Sequence, residues 1–594
     1  MNEKKVSLTI DGRQVSVPAE STIMQAAESI GIHIPRLCYH SRLSVAGACR
    51  ICVVEVEGMK NYVPSCCTQV SEGMMVRTNT ADLLRTRRDI IELLLDNHPQ
   101  DCQTCSRNGD CELQSLAEQF GIRERIFEGE KKHFPADYSS LSIVRDPDKC
   151  ILCGKCVRVC SEIQGVNALS FSHRGFRTNV GPAFDLPAAE SVCINCGQCT
   201  LFCPTGALTE QDDTEKVWQA LNDPDKIVVV QIAPAVRVAI GEPFGYPPGT
   251  DLTGQTVAAL RRLGFDRVFD TQFSADLTIM EEAHELIHRL SHNGKLPMFT
   301  SCSPGWIKFC EHFHPEFLEN LSTCKSPQQM MGAIIKTYYA EKQKIDPSVI
   351  YSVSIMPCTA KKFEANRPEM RSSGFQDVDA VLTTRELARM IKKIGLKFSE
   401  LPGEEFDDPL GESTGAATIF GVTGGVLEAA LRTAYELVTG DQLLSLDFHQ
   451  VRGFEGIREA EIALAGKKIR VAVCHGLSNT HRLLTEIKTG QRTYHFVEIM
   501  TCPGGCLGGG GQPRAPEETE PMDRSYYEKR AAGIYAIDSK KVIRQSHKNP
   551  QIKKIYAEFL EKPLGARSHH LLHTRYQVRS PRGFTSVRED IFNL

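Results

Sequence analysis

The chain has 594 residues, of which 41% are apolar and 24% are charged. At roughly 150 residues per domain this length predicts about four domains, and the composition excludes a disordered or fibrous protein. The formal net charge of −4 excludes a strong positive field that would recruit nucleic acid or an anionic membrane.

The apolar stretches of the chain are short. Residues 227–232 form one of the more apolar runs, far below the ~18 consecutive apolar residues that a membrane span needs. The N-terminal residues also lack the apolar core of a secretory signal. We therefore expect a cytoplasmic protein with no membrane span and no nucleic-acid partner.

Cysteine is concentrated in the first third of the chain. Sixteen of the 23 cysteines precede residue 204, and most of them stand in CxxC-type spacings. In a long chain without an export signal the thiols stay reduced. This density therefore predicts metal ligands rather than disulfides.

Residues 1–80 are predicted to form the first domain. Residues 5–17 alternate around an Asp-Gly pair, which indicates a hairpin, and Ser21 is expected to cap a short helix. Four cysteines follow with gaps of ten, two and thirteen residues: Cys38, Cys49, Cys52 and Cys66. The hairpin and helix resemble a ubiquitin-like, plant-type ferredoxin, which implies one [2Fe–2S] cluster, although the first gap is longer than the plant-type spacing. A structural zinc site is the alternative.

Residues 81–140 are predicted to form a second cluster domain. An apolar stripe over residues 81–95 predicts a helix. It is followed by an H-x3-C-x2-C-x5-C motif made of His98, Cys102, Cys105 and Cys111. From the spacing alone zinc and a [4Fe–4S] cluster are equally good interpretations. The cluster motifs on both sides favour iron–sulfur.

Residues 141–210 contain an internal repeat. Two C-x2-C-x2-C-x3-C runs comprise Cys150, Cys153, Cys156, Cys160 and Cys193, Cys196, Cys199, Cys203. The second run ends in Pro204, as in bacterial two-cluster ferredoxins. In that fold the fourth cysteine of each run ligates the other cluster, so Cys160 is predicted to join the second run and Cys203 the first. With these two clusters the chain would carry three [4Fe–4S] clusters and one [2Fe–2S] cluster. Such a series forms an electron-transfer chain, which predicts a catalytic site at one end.

From residue 211 to about residue 576 the pattern is that of a large α/β domain. Short apolar strands at residues 227–232, 349–355 and 469–473 alternate with helical segments at residues 252–263, 274–290 and 326–341. No glycine-rich phosphate loop appears, so the chain shows no nucleotide fingerprint. The fold class is therefore multidomain, α+β in its N-terminal cluster domains and α/β in the large domain.

Three short loops of this domain contain most of its distinctive cysteines. They read TSCSPGW at residues 300–306, MPCTAKK at 356–362 and MTCPGGC at 500–506. These loops resemble the signature loops of the iron-only (FeFe) hydrogenases. Segments at residues 231–237, 326–329 and 424–426 also match. The likeness reaches about Tyr576 and leaves residues 577–594 as a C-terminal extension.

The resemblance implies an H-cluster, a [4Fe–4S] cubane joined to a two-iron unit that carries CO, cyanide and a bridging dithiolate. Cys358, Cys502 and Cys506 match cubane ligands, and Cys506 matches the bridging one. Lys361 matches the lysine that hydrogen-bonds a cyanide. The residues that match the cofactor lining are Ala233, Pro234, Ser326, Gln328, Met356 and Met500. Ordinary core packing is the alternative for the two methionines.

The sequence of the first loop, residues 300–306, differs from the motif that is usual in the family. Its usual sequence is TSCCPGW, in which the first cysteine is the proton donor and the second a cubane ligand. Here Ser303 stands in the ligand position and Cys302 in the donor position. Either Cys302 becomes the fourth ligand, or Cys302 keeps the proton role and another group such as Cys324 completes the cubane. Because serine is a hard, poor ligand for such iron, we favour Cys302 as a ligand or a site-lining thiol.

A proton relay is implied on the helix at residues 274–290. Glu282, Glu285 and Arg289 share one helix face because they are spaced i, i+3, i+7. They match the family's relay, with Ser322 between the two carboxylates. Burial would raise the carboxyl pKa values so that a proton can be carried at neutral pH. The alternative is a solvated Glu/Arg face.

The function implied by the resemblance is reversible oxidation of H2 to protons and electrons. The whole chain resembles the catalytic subunit of a multimeric NAD(P)-reducing hydrogenase. Because no nicotinamide or flavin site is visible, a flavin- and NAD(P)-binding partner subunit is implied, with a small [2Fe–2S] subunit and with ferredoxin as a further carrier in electron bifurcation. A stand-alone ferredoxin-dependent hydrogenase is the alternative. Further alternatives are an H2-sensing protein and an electron-transfer subunit like that of respiratory complex I.

Overall fold

A computed structural model describes residues 4–124, 126–127, 129–443, 445–464, 466–516 and 519–579. Most of the predicted C-terminal extension, residues 580–594, lies outside the described residues. Within the described ranges, no helix is both long enough and apolar enough to cross a lipid bilayer.

The N-terminal domain is a five-stranded sheet packed against one helix. The strands and the helix are β1 Lys5–Ile10, β2 Arg13–Pro18, α1 Ile23–Ser29, β3 Val53–Val56, β4 Val63–Pro64 and β5 Met75–Arg77. The sheet order is β2-β1-β5-β3-β4, with the predicted hairpin at one edge. Thr22 caps α1, because Gln25 lies three residues later and completes a reciprocal capping box. The prediction of Ser21 as the cap was wrong by one residue.

A two-helix segment and a small ferredoxin-like domain follow. The helix predicted at residues 81–95 is α2 Ala81–Asp96, and α3 covers Glu112–Gln119. The ferredoxin-like domain consists of β6 Ile143–Arg145, α4 Lys155–Arg158, β7 Ser170–Ser172, β8 Asn179–Gly181, α5 Gln198–Phe202 and β9 Leu208–Glu210. Strands β6 and β9 join its two ends as an antiparallel pair.

The large domain contains two four-stranded sheets. The first has the order β11-β10-β13-β14 and is wholly parallel; the second has the order β12-β17-β16-β15, in which β15 is antiparallel. Their strands are β10 Ile227–Ile232, β11 Arg267–Asp270, β12 Met298–Phe299, β13 Ile350–Met356, β14 Ala380–Thr383, β15 Ile457–Leu464, β16 Lys467–His475 and β17 Phe496–Met500.

Helices cover both sheets. They are α6 Thr214–Leu221, α7 Thr253–Leu263, α8 Thr271–Ser291, α9 Pro304–Phe313, α10 Pro327–Ile334, α11 Ala340–Gln343, α12 Ala360–Ala365, α13 Thr384–Lys393, α14 Gly415–Thr418, α15 Gly425–Thr439, α16 Leu477–Lys488, α17 Arg524–Lys540, α18 Pro550–Ile555 and α19 Ala566–Leu572. The helix predicted at residues 326–341 is divided, because a π-helical turn at Ile335–Tyr339 separates α10 from α11.

This topology positions the chemically distinctive loops. Strands β10, β12, β13 and β17 are each followed directly by one of the segments singled out above. Because these strands are parallel within their sheets, their carboxyl ends lie at a common edge. Ligand sites of open α/β sheets form at such edges. The two sheets therefore bring four loops, distant in sequence, to one place.

Candidate active site

The four loops enclose a buried cavity. The residues that line it include Ala233, Pro234, Thr271, Ala275, Cys302, Ser303, Gln328, Met356, Cys358, Lys361, Met500, Thr501, Cys502 and Cys506. Ser326 is absent from this lining; its hydroxyl donates instead to Glu364 Oε2 at 2.9 Å. The other five predicted lining residues, among them the two methionines, all line the cavity.

Three thiols, those of Cys358, Cys502 and Cys506, meet in this cavity. Burial raises the pKa of all three, and Cys358 adds to the rise at both of the others. For Cys506 the pKa is raised to about 12. Buried thiolates that oppose one another are stable only when a cation compensates their charge. This donor set fits an iron–sulfur cubane.

The cavity touches the ferredoxin-like domain through Cys196, which also lines it. The contact depends on close backbone approach: a Cβ on Gly510 would collide with the carbonyl oxygen of Cys196, and one on Gly197 with the hydroxyl of Thr359. Gln198 Nε2 and Thr359 Oγ1 tie the two domains by hydrogen bonds of 2.8 Å to Gly508 O and 2.7 Å to Asn195 O. The glycine run at residues 508–511 therefore serves contact between domains.

Lys361 is held at the cavity by two contacts. Its ammonium group donates to Glu364 Oε2 at 2.8 Å and to the carbonyl oxygen of Cys302 at 3.1 Å. The same carboxylate accepts from Ser326, and Gln328 Nε2 donates to the Lys361 carbonyl oxygen at 3.2 Å. These bonds fix a positive charge beside an otherwise apolar cavity. Such a charge favours an anionic ligand.

In the first loop, residues 300–306, the adjacent side chains of Cys302 and Ser303 have different surroundings. The Ser303 hydroxyl pairs with Thr501 Oγ1 at 2.8 Å. Burial and the neighbouring Glu282 raise the pKa of the Cys302 thiol well above its ordinary value. Cys324 does not line the cavity; its Sγ lies 3.8 Å from Glu285 Oε2. The idea that Cys324 completes the cubane is wrong, because its position in the loop before α10 points it toward α8.

The residues of the predicted relay form a continuous group from the cavity toward the surface. Ser322 bridges the two carboxylates: it hydrogen-bonds the Glu282 carboxyl and donates to Glu285 Oε2 at 2.8 Å. Arg289 Nη2 then binds Glu285 Oε1 at 2.6 Å. Burial, reinforced by the nearby Glu285, raises the pKa of Glu282 to about 8. Glu282 therefore retains a proton at neutral pH.

Two buried carboxylates at the site were missed by the sequence analysis. Glu364 holds Lys361, and the i, i+3 spacing of this pair was a readable signal. Glu498 lies inside β17 and accepts from the backbone N–H groups of Gly424 and Leu427, at 2.6 and 2.8 Å, at the N-terminus of α15. Burial raises its pKa to about 7. A charged residue within the apolar run of β17 was the available signal.

The eight cysteines of the internal repeat line two separate cavities. One cavity is lined by Cys150, Cys153, Cys156 and Cys203. The other is lined by Cys160, Cys193, Cys196 and Cys199. Each group therefore takes its fourth cysteine from the other run. Four converging thiols in each cavity fit a [4Fe–4S] cluster.

The remaining predicted ligands lie farther from the active-site cavity. In the N-terminal domain Cys49 and Cys66 hydrogen-bond Cys38 and Cys52, and thereby lower the pKa values of these two thiols to about 5 and about 6. Cys67 is exposed. A donor set of two close thiol pairs fits a [2Fe–2S] cluster.

The His/Cys motif abuts the ferredoxin-like domain. The Sγ of Cys111 lies 3.6 Å from the carbonyl oxygen of Pro204, and Cys105 faces Gly206. His98 is buried at the end of α2, and Cys102 is half-buried at the start of the next turn. One apolar cluster, which includes Cys49, Cys111 and Ile151, packs the three N-terminal cysteine regions together.

Comparison with known protein families divides the chain into five matched regions. The largest match is "Iron only hydrogenase large subunit, C-terminal domain" over residues 226–510. The others are a 2Fe-2S iron-sulfur cluster binding domain (3–81), an NADH-ubiquinone oxidoreductase-G iron-sulfur binding region (87–125), a 4Fe-4S dicluster domain (149–207) and an iron hydrogenase small subunit (524–579). These matches agree with the predicted fold class.

Similar proteins cover the chain almost end to end. NADP-reducing hydrogenase subunit HndD of Solidesulfovibrio fructosivorans is 52% identical over 97% of this chain and 99% of its own length. Iron hydrogenase 1 of Clostridium pasteurianum is 41% identical over 96% of this chain and 100% of its own. The solved structure of apo [FeFe]-hydrogenase HydA1 from Chlamydomonas reinhardtii is 44% identical, with a TM-score of 0.56, over 62% of this chain and 99% of that one.

Proposed function

This chain belongs to the iron-only (FeFe) hydrogenase family, and on that premise we propose that it is the hydrogen-activating subunit of an NADP-linked complex. Its established part is the activity class: it is an oxidoreductase with a hydrogenase catalytic domain and iron–sulfur domains. When bound, the H-cluster supplies the metal at which H2 is cleaved or formed. The protein supplies ligands, a proton path and an electron path.

The observation that carries the proposal is the meeting of three kinds of group at one cavity. Cys358, Cys502 and Cys506 offer thiol ligands, Lys361 offers a fixed positive charge, and Cys196 belongs to the adjoining ferredoxin-like cavity. An electron-transfer subunit without chemistry would need only the last of these. The combination supports catalysis rather than relay alone.

On the proton side we assign the first transfer to Cys302. Its thiol keeps its proton, because burial and the adjacent Glu282 oppose ionisation. Glu282 takes up or returns a proton at its carboxyl group, which also stays protonated at neutral pH. Ser322 passes the proton to Glu285, and Arg289 holds that carboxylate near the surface. Glu282, Ser322, Glu285 and Arg289 are connected by hydrogen bonds, as general acid–base transfer requires, and Glu282 is a close neighbour of the Cys302 thiol.

The first loop then leaves Ser303 at the fourth cubane position. Cys302 is assigned to proton transfer, and Cys324 lies elsewhere. Ser303 Oγ lines the cavity and is oriented by Thr501. Substitution S303C should supply a softer ligand and alter the electron paramagnetic resonance spectrum of the reduced cubane, whereas S303A should lower its iron content. Unchanged spectra and iron in both variants would remove Ser303 from the ligand set.

On the electron side we assign two [4Fe–4S] clusters to the crossed cysteine groups of the ferredoxin-like domain. A third [4Fe–4S] cluster is assigned to His98, Cys102, Cys105 and Cys111, and one [2Fe–2S] cluster to Cys38, Cys49, Cys52 and Cys66. The shared apolar packing of the N-terminal cysteine regions supports exchange of electrons among them. The boundaries at residues 80, 140 and 210 separate these units.

The acceptor is assigned from the relative's description and from the sequence. The relative that is 52% identical is named an NADP-reducing hydrogenase subunit, and this chain shows no nucleotide-binding fingerprint. We therefore assign nicotinamide and flavin to a partner subunit, with a small [2Fe–2S] subunit and ferredoxin as further carriers. A cytoplasmic location agrees with an NADP-linked reaction.

The proposal is tested by H2-dependent viologen reduction with the fully iron-loaded chain, purified anaerobically after co-expression with maturation proteins. Viologen accepts electrons from any surface cluster, so the assay needs no partner. Rapid reduction is expected, together with no reduction of NADP until a flavoprotein partner is added. No viologen reduction at full iron loading would contradict the catalytic assignment, and direct NADP reduction would contradict the partner assignment.

A further inference from the structure

A second group of metal-binding side chains lies beside the relay, outside the catalytic cavity. Glu285 of α8, Cys324 of the loop before α10 and His573 after α19 are all buried. One ligand atom from each lies within 4.8 Å of the other two. Cys324 and His573 also pair as an isolated antiparallel bridge, which fixes their backbones relative to each other.

The separation of the sulfur and carboxylate ligand atoms suits a tetrahedral ion. Zinc binds thiolate sulfur at about 2.3 Å and carboxylate oxygen at about 2.0–2.2 Å, which places these two ligand atoms about 3.6 Å apart in tetrahedral geometry. The observed distance from Cys324 Sγ to Glu285 Oε2 is 3.8 Å. Sulfur, imidazole nitrogen and carboxylate oxygen together are the ligands that zinc prefers.

The imidazole is already oriented for this role. Glu281 Oε2 lies 3.1 Å from Nε2 of His573, and Tyr556 fixes the other oxygen of Glu281 at 2.5 Å. Carboxylates on the outer nitrogen are the usual support of a metal-binding histidine. Nδ1 meets the Thr323 hydroxyl at 2.7 Å and would exchange this contact for the metal.

We propose that Glu285, Cys324 and His573 form a binding site for Zn²⁺ or a similar thiophilic divalent cation, and that its occupation inhibits turnover. The inhibitory part rests on the proposed function of Glu285 as a relay member. Glu285 Oε2 accepts a hydrogen bond from Ser322. An ion bound to this oxygen takes the place of the Ser322 contact and interrupts the relay between Glu282 and the surface.

The local charge supports cation binding. Glu281 and Glu285 of α8 place carboxylate groups at the site, whereas Glu282 stays protonated at neutral pH and adds no charge there. The facing groups are Arg289, which binds Glu285 Oε1, and His569, whose ring stacks on that of His573. On binding, the thiol of Cys324 releases its proton to solvent and the sulfur bonds to the ion. Affinity should therefore increase with pH.

Binding is tested without reference to activity, on the fully iron-loaded chain. All proteins carry C67S, because Cys67 is exposed and would bind zinc nonspecifically. After incubation with ZnCl2 and desalting, one retained zinc per chain is expected, and X-ray absorption should show a sulfur and an imidazole neighbour. C324A and H573Q should each lose it, whereas C474A, which removes another buried thiol, should keep it.

Inhibition is measured in the same proteins by H2-dependent viologen reduction, each normalised to its own zinc-free rate. C324A is expected to raise the half-inhibitory zinc concentration at least tenfold, and E281Q about 10–100-fold through its support of the histidine. Zinc retained equally by C324A, or none retained by the C67S parent, would overturn the site. Zinc bound as expected without loss of turnover would retain the site and overturn its link to the relay.

Discussion

The electron side and the proton side of the catalytic cavity are built in different ways. On the electron side, three of the four cysteines around each ferredoxin-like cavity stand within a few residues of one another, and only the fourth comes from the other run. On the proton side, the group that joins Cys302 to Arg289 draws on the first loop, α8 and the loop at Ser322. Ser322 and Glu285 are separated by 37 residues.

The difference follows from what each side must carry. Electrons pass between metal centres without a continuous bonded path, so the protein need only hold ligands and close contact. Protons need a donor and an acceptor within hydrogen-bonding distance at every step. Proton transfer should therefore be sensitive to the loss of a single donor or acceptor atom. Electron transfer should be sensitive to how closely the domains pack, as at Gly510 and Cys196.

The largest effect is expected from loss of Cys506, which lies in the cavity where the electron side and the proton side meet. C506A should abolish assembly of the two-iron unit, because the resemblance to the family implies that this thiol is the bridging ligand. Infrared spectra of the matured protein should lack the CO and cyanide bands. C310A removes a buried thiol outside the cavity and should keep them. Normal bands in C506A would exclude Cys506 as the bridging ligand.

The next largest effect is expected from E282Q, which tests proton transfer. E282Q preserves shape but cannot pass on an acidic proton, and loss of a positioned acid or base costs about 10²–10⁴-fold in rate. Viologen reduction and H2/D2O exchange should both fall by that factor while the infrared bands stay normal. Exchange that continues at the rate of the unsubstituted protein would place the proton path elsewhere.

A smaller effect is expected from G510A, which tests electron transfer between the two domains. G510A adds a Cβ that collides with the Cys196 carbonyl, so the two domains must separate slightly. Viologen reduction should fall several-fold, while H2/D2O exchange, which uses only the cavity and its proton path, should persist. G403A is a suitable control, because a Cβ there meets nothing closer than 3.9 Å. Equal losses in both assays would mean that the glycine run supports the whole domain.

The smallest effect is spectroscopic. Burial raises the pKa of Glu282 to about 8, well above the ordinary value of about 4.3 for glutamate. Between these two values the carboxyl should hold a proton that an exposed glutamate would lose. A carboxylic-acid C=O stretch should persist at pH 7, decline as the pH rises past about 8 and be missing in E282Q. Its loss already near pH 5 would contradict a protonated relay.

The same contrast explains what the sequence could predict. Motif spacing indicated the N-terminal cluster domains, and the parallel α/β character followed from short apolar strands; both belong to the confirmed fold class. The role suggested for Cys324 failed, because the direction of that side chain depends on how its loop packs against α8. Glu498 stands out in the sequence as a charge within the apolar run of β17, but only the fold puts its carboxylate at the start of α15. Spacing reports local geometry, and these contacts are not local.

The partner of Glu281 also has a consequence for the order of synthesis. Glu281 bonds His573, which lies 292 residues later in the chain. At about 5–20 residues per second, the ribosome reaches His573 about 15 to 60 s after it has made Glu281. The helix that carries the relay is thus synthesised long before the residue that pairs with its buried Glu281. Until then the carboxylate of Glu281 lacks its imidazole partner.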